Sequence, residues 1–300
     1  MQPLNVAESQ GSSLACGSTD VLVVGNYCHD RIILLDGETL TMGGSVAYAS
    51  AVFRAAKEVP YRVIATVGDD WRYGNSIIAP AFEAPRQVAQ TRTTSFVDNF
   101  TIPGQADRSE TLEAPGEPIR PQDLGDVRVH YGMAVGVANE ILPETLQRLR
   151  DLADVLLVDA QGLLRTVTPE NHVVLRPLTE TPYSKSLLQS FDYLKVSQTE
   201  APFVNIEELR QHVTILLTDG PRGCEIITAA AKEHVEAPPA PELDPTGAGD
   251  SFLAGFTVGL QRGLSVRDAV RLGNACGAVA VTQKGVSTFP DGMFPKADRP

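Results

Sequence analysis

Short, strongly apolar runs alternate with helical patterns along most of the chain. The first run, Val21-Leu22-Val23-Val24 before Gly25, is typical of a strand that is buried on both faces. Comparable runs predict further strands at 61–67, 127–131, 155–159, 193–196 and 214–218. Helices are predicted between the later runs, at 143–151 and 206–212. This alternation predicts a mostly parallel sheet with helices on both faces.

Two more polar segments interrupt the alternation and predict β-hairpins. Residues 31–35 and 38–42 flank Asp36-Gly37, which is a hairpin turn signal. A second pair of β-prone segments, at 93–102 and 109–112, flanks the turn Pro103-Gly104. We therefore expect both hairpins to stand outside the main sheet.

The remaining elements begin near glycine-containing turns or close the chain. Gly43-Gly44 leads into a predicted helix of small residues at 45–53. A late antiparallel hairpin is predicted at 224–228 and 234–237, followed by helices at 250–262 and 265–284.

Length and composition bound the class of protein. The 300 residues are 43% hydrophobic, which suits one large α/β domain or two smaller ones. No apolar run approaches the ~20 residues of a membrane span, so no membrane partner is expected. Residues 1–20 are polar and lack the basic end and apolar core of a signal peptide. We predict a disordered leader at 1–20 and a single domain at 21–300.

Charge and cysteine usage exclude further classes. The net charge is −12 and no basic cluster could follow a phosphate backbone, so nucleic acid is not an expected partner. The four cysteines form no Cys-x-x-Cys pair, which argues against a zinc site or a dithiol redox motif. Free thiols in a reducing cytoplasm are the simplest interpretation.

The most informative stretch is Asp244-Pro245-Thr246-Gly247-Ala248-Gly249-Asp250-Ser251-Phe252. The start of a helix carries free backbone N–H groups and a partial positive charge. Gly247 and Gly249 let a bulky anion approach that backbone, because no Cβ stands in the way. Asp250 would repel the anion unless it takes a proton from a hydroxyl that attacks a phosphoryl group. The alternative is an acidic N-cap on an ordinary helix.

Several candidate binding residues follow predicted strands. They are Asp30, the pair Gly43-Gly44, residues 218–220 and the loop 247–250. Ligands of open α/β sheets bind beyond the carboxyl ends of the strands. We therefore predict that these residues converge on one crevice.

These motifs resemble the ribokinase or PfkB carbohydrate kinase family, and the resemblance covers nearly all of 21–287. Its strongest part is the run 244–252 followed by Ala254-Gly255-Phe256, and its second part is Gly43-Gly44 after a hairpin. The resemblance implies an α/β fold, ribokinase-like, with a three-layer α/β/α core, a mostly parallel sheet and a small β-sheet lid. Residues 31–42 and 93–112 would form the lid, which would exclude water that otherwise hydrolyses ATP.

The resemblance also implies the role of each site residue. Asp250 would be the general base, and the backbone N–H groups of Gly247, Ala248 and Gly249 would bind the transferred phosphoryl group. Acceptor hydroxyls would be bound by Asn26, Asp30, Gly43, Gly44 and Ser45. ATP would be bound by the anion-hole residues together with Ser197, Thr218, Gly220, Gly223 and Asn274.

Departures from the family pattern concern the metal and the acceptor. The family's metal-associated Asn-x-x-Glu is here the run 197–200, which retains Glu200 but has Ser197 in place of Asn. Mg²⁺ dependence is still implied. Ribokinases carry Lys and Asn after the glycine pair where this chain has Ser45 and Tyr48, which argues against ribose.

A monovalent cation is a further implied ligand. Groups around Asp244, Thr246, Gly285 and Ser287 suit the family's site for a cation such as K⁺. Oxygen-rich loops are also common without a cation, so the residues leave this open.

Within the family, three segments are most similar to the plant-type myo-inositol kinases, which form inositol 3-phosphate from ATP. The segments are 25–30, 43–49 and 195–197. Myo-inositol is uncharged, so its pocket should offer carboxylates and amides rather than a basic cluster. Arg128 and Arg165 are the cations that could still reach it. The alternatives are a family kinase for another sugar, polyol or nucleoside, and a non-catalytic member that serves as a binding subunit.

Overall fold

The computed structural model describes residues 19–34, 37–57, 59–73, 85–99 and 109–296. The described strands are β1 (Val21–Val24), β2 (Cys28–Leu34), β3 (Gly37–Gly43), β4 (Tyr61–Ile64), β5 (Thr66–Gly68), β6 (Arg86–Val88), β7 (Ser95–Asn99), β8 (Ser109–Ala114), β9 (Val129–Ala134), β10 (Ala153–Asp159), β11 (Arg165–Val167), β12 (Val173–Leu175), β13 (Tyr193–Ser197), β14 (Thr214–Thr218), β15 (Cys224–Ile227) and β16 (Lys232–Val235). The described α-helices are α1 (Ser45–Ala56), α2 (Pro143–Leu152), α3 (Gln161–Leu164), α4 (Lys185–Leu188), α5 (Ile206–Leu209), α6 (Ala248–Gln261) and α7 (Val266–Ala280). Short 3₁₀ turns lie at Pro121–Leu124, Leu178–Glu180, Ala201–Phe203 and Gly220–Arg222.

The main sheet has eight strands in the order β16-β15-β14-β13-β10-β9-β1-β4. The strands from β4 to β14 are parallel to their neighbours, and β15 and β16 add an antiparallel edge. Successive side chains of a strand point to opposite faces, so Val21 and Val23 join one core cluster while Leu22 and Val24 join the other. Both faces are therefore covered, which confirms the predicted α/β fold with a mostly parallel sheet.

A smaller four-stranded sheet has the order β3-β2-β7-β8. It joins the two predicted hairpins, because β2 pairs with β3 and β7 with β8 in antiparallel fashion. The two hairpins meet through parallel pairing of β2 with β7. The turn residues Asp36, Pro103 and Gly104 lie outside the described residues, as does most of the predicted leader.

Some boundaries differ from the sequence-based prediction. The run 61–67 is not one strand, because the chain leaves the main sheet after Ile64 and β5 pairs with β6 instead. The side chain of Asn26 accepts hydrogen bonds from the backbone N–H (2.7 Å) and hydroxyl (3.0 Å) of Thr66, which fixes this break. Helix α5 is shorter than predicted and ends at Leu209.

Candidate active site

The loop 244–250 forms the beginning of helix α6. The helix begins at Ala248, two residues earlier than predicted, so Asp250 lies in its first turn and Gly247 is the N-cap. Gly247 has φ +77°, and a Cβ there would lie 2.1 Å from the ring of Tyr48. Only glycine suits both the left-handed backbone and this contact.

Two of the three predicted anion-hole amides are available in this loop. Ala248 N–H donates to the carbonyl of Pro245 at 3.2 Å. The N–H groups of Gly247 and Gly249 have no backbone acceptor within the part of the chain that the structure describes. A helix start with such unpaired donors is a favourable place for an anion.

Two cavities meet at this helix start. One has a volume of about 250 Å³ and includes Ala248 and Gly249 in its wall. The other has a volume of about 90 Å³ and includes Gly247 and Asp250. We call them the donor cavity and the acceptor cavity. The short segment 247–250 thus separates two cavities, an arrangement that transfer of a group between two bound ligands would require.

The acceptor cavity brings together several predicted residues. Its wall includes Asp30, Gly44, Ser45 and Asp250, from three different parts of the chain. Gly43 supports Asp30 from behind, since a Cβ on Gly43 would lie 1.6 Å from a carboxylate oxygen of Asp30. The predicted convergence at the carboxyl ends of the strands is therefore observed for these residues.

Asn26 occupies a different place from the one predicted. It is fully buried and is not among the described residues that line the acceptor cavity. Its amide is engaged by Thr66 and by the carbonyl of Glu117, to which it donates at 3.2 Å. Asn26 therefore shapes the loop behind the cavity instead of offering its side chain to an acceptor.

Asp250 is held by a chain of polar contacts. Gln161 donates to the hydroxyl of Ser45 at 2.7 Å, and Ser45 hydrogen-bonds to Asp250. Burial raises the pKa of Asp250, while Lys195, the Ser45 hydrogen bond and Arg165 lower it. A carboxylate whose pKa is raised by burial is a stronger base when ionised.

Lys195 is a site residue that the sequence analysis missed. It lies in strand β13, is buried, and approaches Asp159 at 3.1 Å. A Cβ on Gly249 would lie 2.9 Å from its ammonium nitrogen, so Lys195 lies directly beneath the helix start. Asp159, Glu200 and Asp250 all raise the pKa of Lys195 against its burial, which keeps it charged.

Glu140 is a second residue that was missed. Its buried carboxylate accepts from the backbone N–H groups of Asn26 (3.1 Å), Val137 (2.9 Å) and Ala138 (2.7 Å). It therefore ties the loop after β9 to the loop after β1. The apolar pattern around it gave no sign of this role.

The donor cavity collects the predicted ATP-binding residues Thr218, Gly220, Gly223 and Asn274. Asn274 donates to the carbonyls of Val235 (2.9 Å) and Glu236 (3.2 Å), so its amide joins helix α7 to the end of β16. Most of the remaining wall is alanine, proline, glycine and Phe252. Such a wall suits a flat, apolar group.

Ser197 and Glu200 are not among the described residues lining either cavity. Glu200 is buried and accepts from the N–H of Ser197 at 2.7 Å. Within the described ranges, no group of three or more His, Cys, Asp or Glu residues could hold a metal ion. An all-protein metal cage is therefore not formed by these residues.

The two arginines considered as cations of the acceptor pocket differ in position. Arg165 lines the acceptor cavity. Arg128 immediately precedes β9, at the amino edge of the sheet and opposite the site.

In the part of the chain that the structure describes, no helix combines the length and apolar character needed to cross a membrane.

Comparison with known proteins identifies similar chains. The family model for pfkB family carbohydrate kinases matches residues 163–291. An inositol 3-kinase from Zea mays is 43% identical over 289 residues, covering 91% of this chain and 75% of the maize protein.

Solved structures share the fold. A pyrophosphate-dependent kinase in the ribokinase family, complexed with a pyrophosphate analog and myo-inositol, has a TM-score of 0.74 at 19% identity and covers 91% of this chain and 97% of its own. Aminoimidazole riboside kinase from Salmonella enterica, complexed with aminoimidazole riboside and an ATP analog, has a TM-score of 0.66 at 22% identity, covering 91% and 98%.

Proposed function

Because this chain belongs to the pfkB family of carbohydrate kinases, we propose that it transfers the γ-phosphoryl group of ATP to a hydroxyl of myo-inositol, giving inositol 3-phosphate. The observation that carries the proposal is the α6 helix start between two cavities, with Asp250 facing the acceptor side. The similarity to the maize inositol 3-kinase supports the choice of acceptor.

The reaction is a direct transfer between the two cavities. An acceptor hydroxyl gives its proton to Asp250 while its oxygen forms a bond to the γ-phosphorus. The bond between that phosphorus and the β–γ bridging oxygen breaks, and ADP leaves. The amides of Gly247, Ala248 and Gly249 would hold the transferred group, with Ala248 exchanging its bond to Pro245 for one to the phosphoryl oxygen.

The acceptor cavity suits an uncharged polyol. Asp30, Asp98 and Glu110 surround it together with Asp250, and these carboxylates accept hydroxyl hydrogen bonds. The nearby glycine pair and Ser45 complete the wall next to the base. A sugar phosphate would instead meet an excess of negative charge.

The donor cavity supports ATP over pyrophosphate. Its apolar part extends beyond the helix start toward Asn274 and Ala278, where a nucleoside would bind and pyrophosphate would make no contact. The fold alone would not decide the donor, since the similar structures include a pyrophosphate-dependent kinase.

Replacing Ala278 with tryptophan should raise the KM for ATP by about tenfold or more, because the indole would occupy the nucleoside space. The KM for myo-inositol should stay unchanged. Steady-state kinetics at saturating second substrate would measure both KM values. Ala278→Ser, which leaves the residue small, is the control. An unchanged KM for ATP in a folded Ala278→Trp variant would move the nucleoside elsewhere.

Mg²⁺ and a monovalent cation are two further ligands of the proposed reaction. Glu200, with one oxygen bonded to Ser197, fits an ion that keeps its waters and is bound mainly by ATP phosphates. The bound Mg²⁺ would neutralise part of the negative charge of the triphosphate. Ser287 is buried, and its hydroxyl has no partner among the described residues, which suits an oxygen-ligated cation such as K⁺.

The experiment that tests the proposal is a substrate panel. Myo-inositol, ribose, fructose and adenosine would each be offered with ATP and with pyrophosphate, and the product hydroxyl would be assigned by NMR. Preference for myo-inositol with ATP is expected. Preference for another acceptor would retain the kinase and reject the acceptor, whereas no turnover with any of them would favour a binding subunit.

Asp30→Ala should raise the KM for myo-inositol about ten- to a hundredfold. The carboxylate lies in the acceptor wall, and leaving buried acceptor hydroxyls unpaired costs about 1–3 kcal/mol. The KM for ATP should change little, and Glu38→Ala on the exposed strand β3 provides the control. A variant with a raised KM for ATP and a normal KM for inositol would show that the two cavities are assigned in the wrong order.

We further propose that 21–300 forms one kinase domain in which the small sheet acts as a lid. Its inner face carries Asp30, Phe96, Asp98 and Glu110, which line the acceptor cavity. Closure of such a sheet over the acceptor would exclude water during transfer.

A further inference from the structure

Arg165 is the single cation among the described residues that line the acceptor cavity. Carboxylates outnumber it there four to one, since Asp30, Asp98, Glu110 and Asp250 share the wall. A lone cation in an acceptor pocket would ordinarily attract a phosphorylated ligand, because guanidinium groups bind phosphate well. The groups that bind the guanidinium of Arg165 therefore bear on which acceptors the cavity can bind.

The guanidinium of Arg165 is engaged on three sides. One nitrogen lies 3.2 Å from a carboxylate oxygen of Glu110 on the lid strand β8. Another donates to the carbonyl of Val137 at 3.3 Å, and the group lies 5.8 Å from the ring centroid of Phe96. The side chains of Arg165 and Glu110 are 16% and 17% exposed, so water screens this pair only partly.

We propose that Glu110 determines acceptor specificity by holding Arg165 in this ion pair, so that the cavity admits uncharged polyols and rejects phosphorylated ones. The inference rests on the proposed function, because it concerns the acceptor of the same reaction. An incoming phosphate monoester carries a charge of about −1.5 to −2 at neutral pH. It would have to displace Glu110 and approach Asp30 and Asp98 at the same time.

The geometry also explains why Glu110 and not another acid has this role. Glu113 lies on the same strand and also contacts an arginine, Arg31, at 3.3 Å. That pair lines a different cavity on the other face of the small sheet. Glu110 and Glu113 therefore offer a matched comparison of an inner and an outer ion pair.

The test measures the inhibition constant of an inositol monophosphate other than the product, inositol 3-phosphate, against myo-inositol, beside the KM for myo-inositol. Glu110→Gln keeps the shape of the side chain and removes its charge. We expect the inhibition constant to fall about tenfold or more, whereas the KM for myo-inositol should not fall, because the released guanidinium gives an uncharged acceptor no comparable gain. Glu113→Gln should leave both values unchanged.

The double variant Glu110→Gln/Arg165→Met completes the test. If Arg165 is the group released, the gain in phosphate binding should disappear in this variant. A gain that persists would overturn the inference, and so would an unchanged inhibition constant in Glu110→Gln. Glu110→Ala repeats the measurement if the glutamine variant melts early.

Calorimetric titration of the same phosphate into each variant separates this inference from the proposed function. If the wild type does not phosphorylate myo-inositol, the proposed function fails. Tighter binding of the phosphate by Glu110→Gln would still support the charge-based selection. Equal binding by wild type and variant would reject it, whatever the natural acceptor.

Discussion

Asp250→Asn should lower kcat about 10²–10⁴-fold, the range that general-base catalysis typically contributes. Asparagine keeps the size of the side chain but cannot take a proton from the acceptor hydroxyl. The hydrogen bond from Ser45 and the helix start should remain, so ATP binding should be nearly unchanged. Stopped or coupled assays of ADP release, together with calorimetry for ATP, would measure the two effects.

The neighbouring helix provides the control for this experiment. Asp268 lies in the first turn of α7 and is capped by Ser265, so it has the same position in its helix as Asp250 but faces solvent. Asp268→Asn should leave kcat unchanged. A loss smaller than tenfold in Asp250→Asn would remove the general-base role and leave Asp250 as a structural acid.

Lys195→Met should lower kcat about a hundredfold, comparable to the removal of one donor that stabilises a transition-state anion. The ammonium lies beneath Gly249 and is surrounded by the carboxylates of Asp159, Glu200 and Asp250. Methionine has a similar length but no charge, so the proposed anion hole would lose the ammonium that lies beneath Gly249. Lys195→Arg should recover part of the activity, and Lys232→Met on exposed strand β16 should behave as wild type.

The pH dependence of Lys195→Met gives a readout that packing alone would not change. Lys195 lowers the pKa of Asp250, so its removal should raise that pKa and shift the acidic limb of kcat/KM to higher pH. The groups facing Asp250 also include Ser45, Arg165 and Glu200, and all of these are retained. An unshifted acidic limb would mean that Lys195 acts on stability alone.

The free energy of unfolding of the Lys195→Met variant should also depend on pH. Removing one partner of a buried ion pair costs about 3–5 kcal/mol, because Asp159 would be left buried and unpaired. Burial already raises the pKa of Asp159, and without Lys195 this pKa would rise further above its unfolded value of about 3.9. Stability from the protonated form is then present below the unfolded pKa and is lost as pH rises through the folded pKa. Urea melts of the variant should therefore show the largest loss at neutral pH and a smaller one in acid.

Most of the fold was predictable from local pattern. Strand β14 and the first strand have the predicted bounds, because short apolar runs between turn residues leave little freedom. The division of 61–67 was not predictable, since it depends on a hydrogen bond from Thr66 to Asn26, which lies 40 positions earlier in the chain. The two-residue error at the start of α6 arose because Ala248 and Gly249 look like loop residues, although the turn at Gly247 already begins the helix.

The site was predictable where a motif is continuous in sequence. The 244–252 run and the glycine pair were recognised because each is a local exception to ordinary helix and strand composition. Lys195 gave a signal that went unused: a lysine within a buried strand needs a partner. The pairing of Glu110 with Arg165 gave none, because it joins strands β8 and β11 across the fold.

The alternation of side chains on the small sheet has a consequence for redesign. Helix α1 lines the acceptor cavity through Ser45 and Tyr48, and Tyr48 also lies against Gly247. Nearly all residues of α1 are buried, so changes there should disturb the proposed phosphoryl transfer as well. Positions 96, 98 and 110 line the acceptor cavity from strands that contribute nothing to the helix start. New acceptors could therefore be selected by exchanging alternate residues of β7 and β8, with the transfer chemistry left intact. The residues that would select the acceptor and those that would perform the transfer therefore belong to different elements around one cavity.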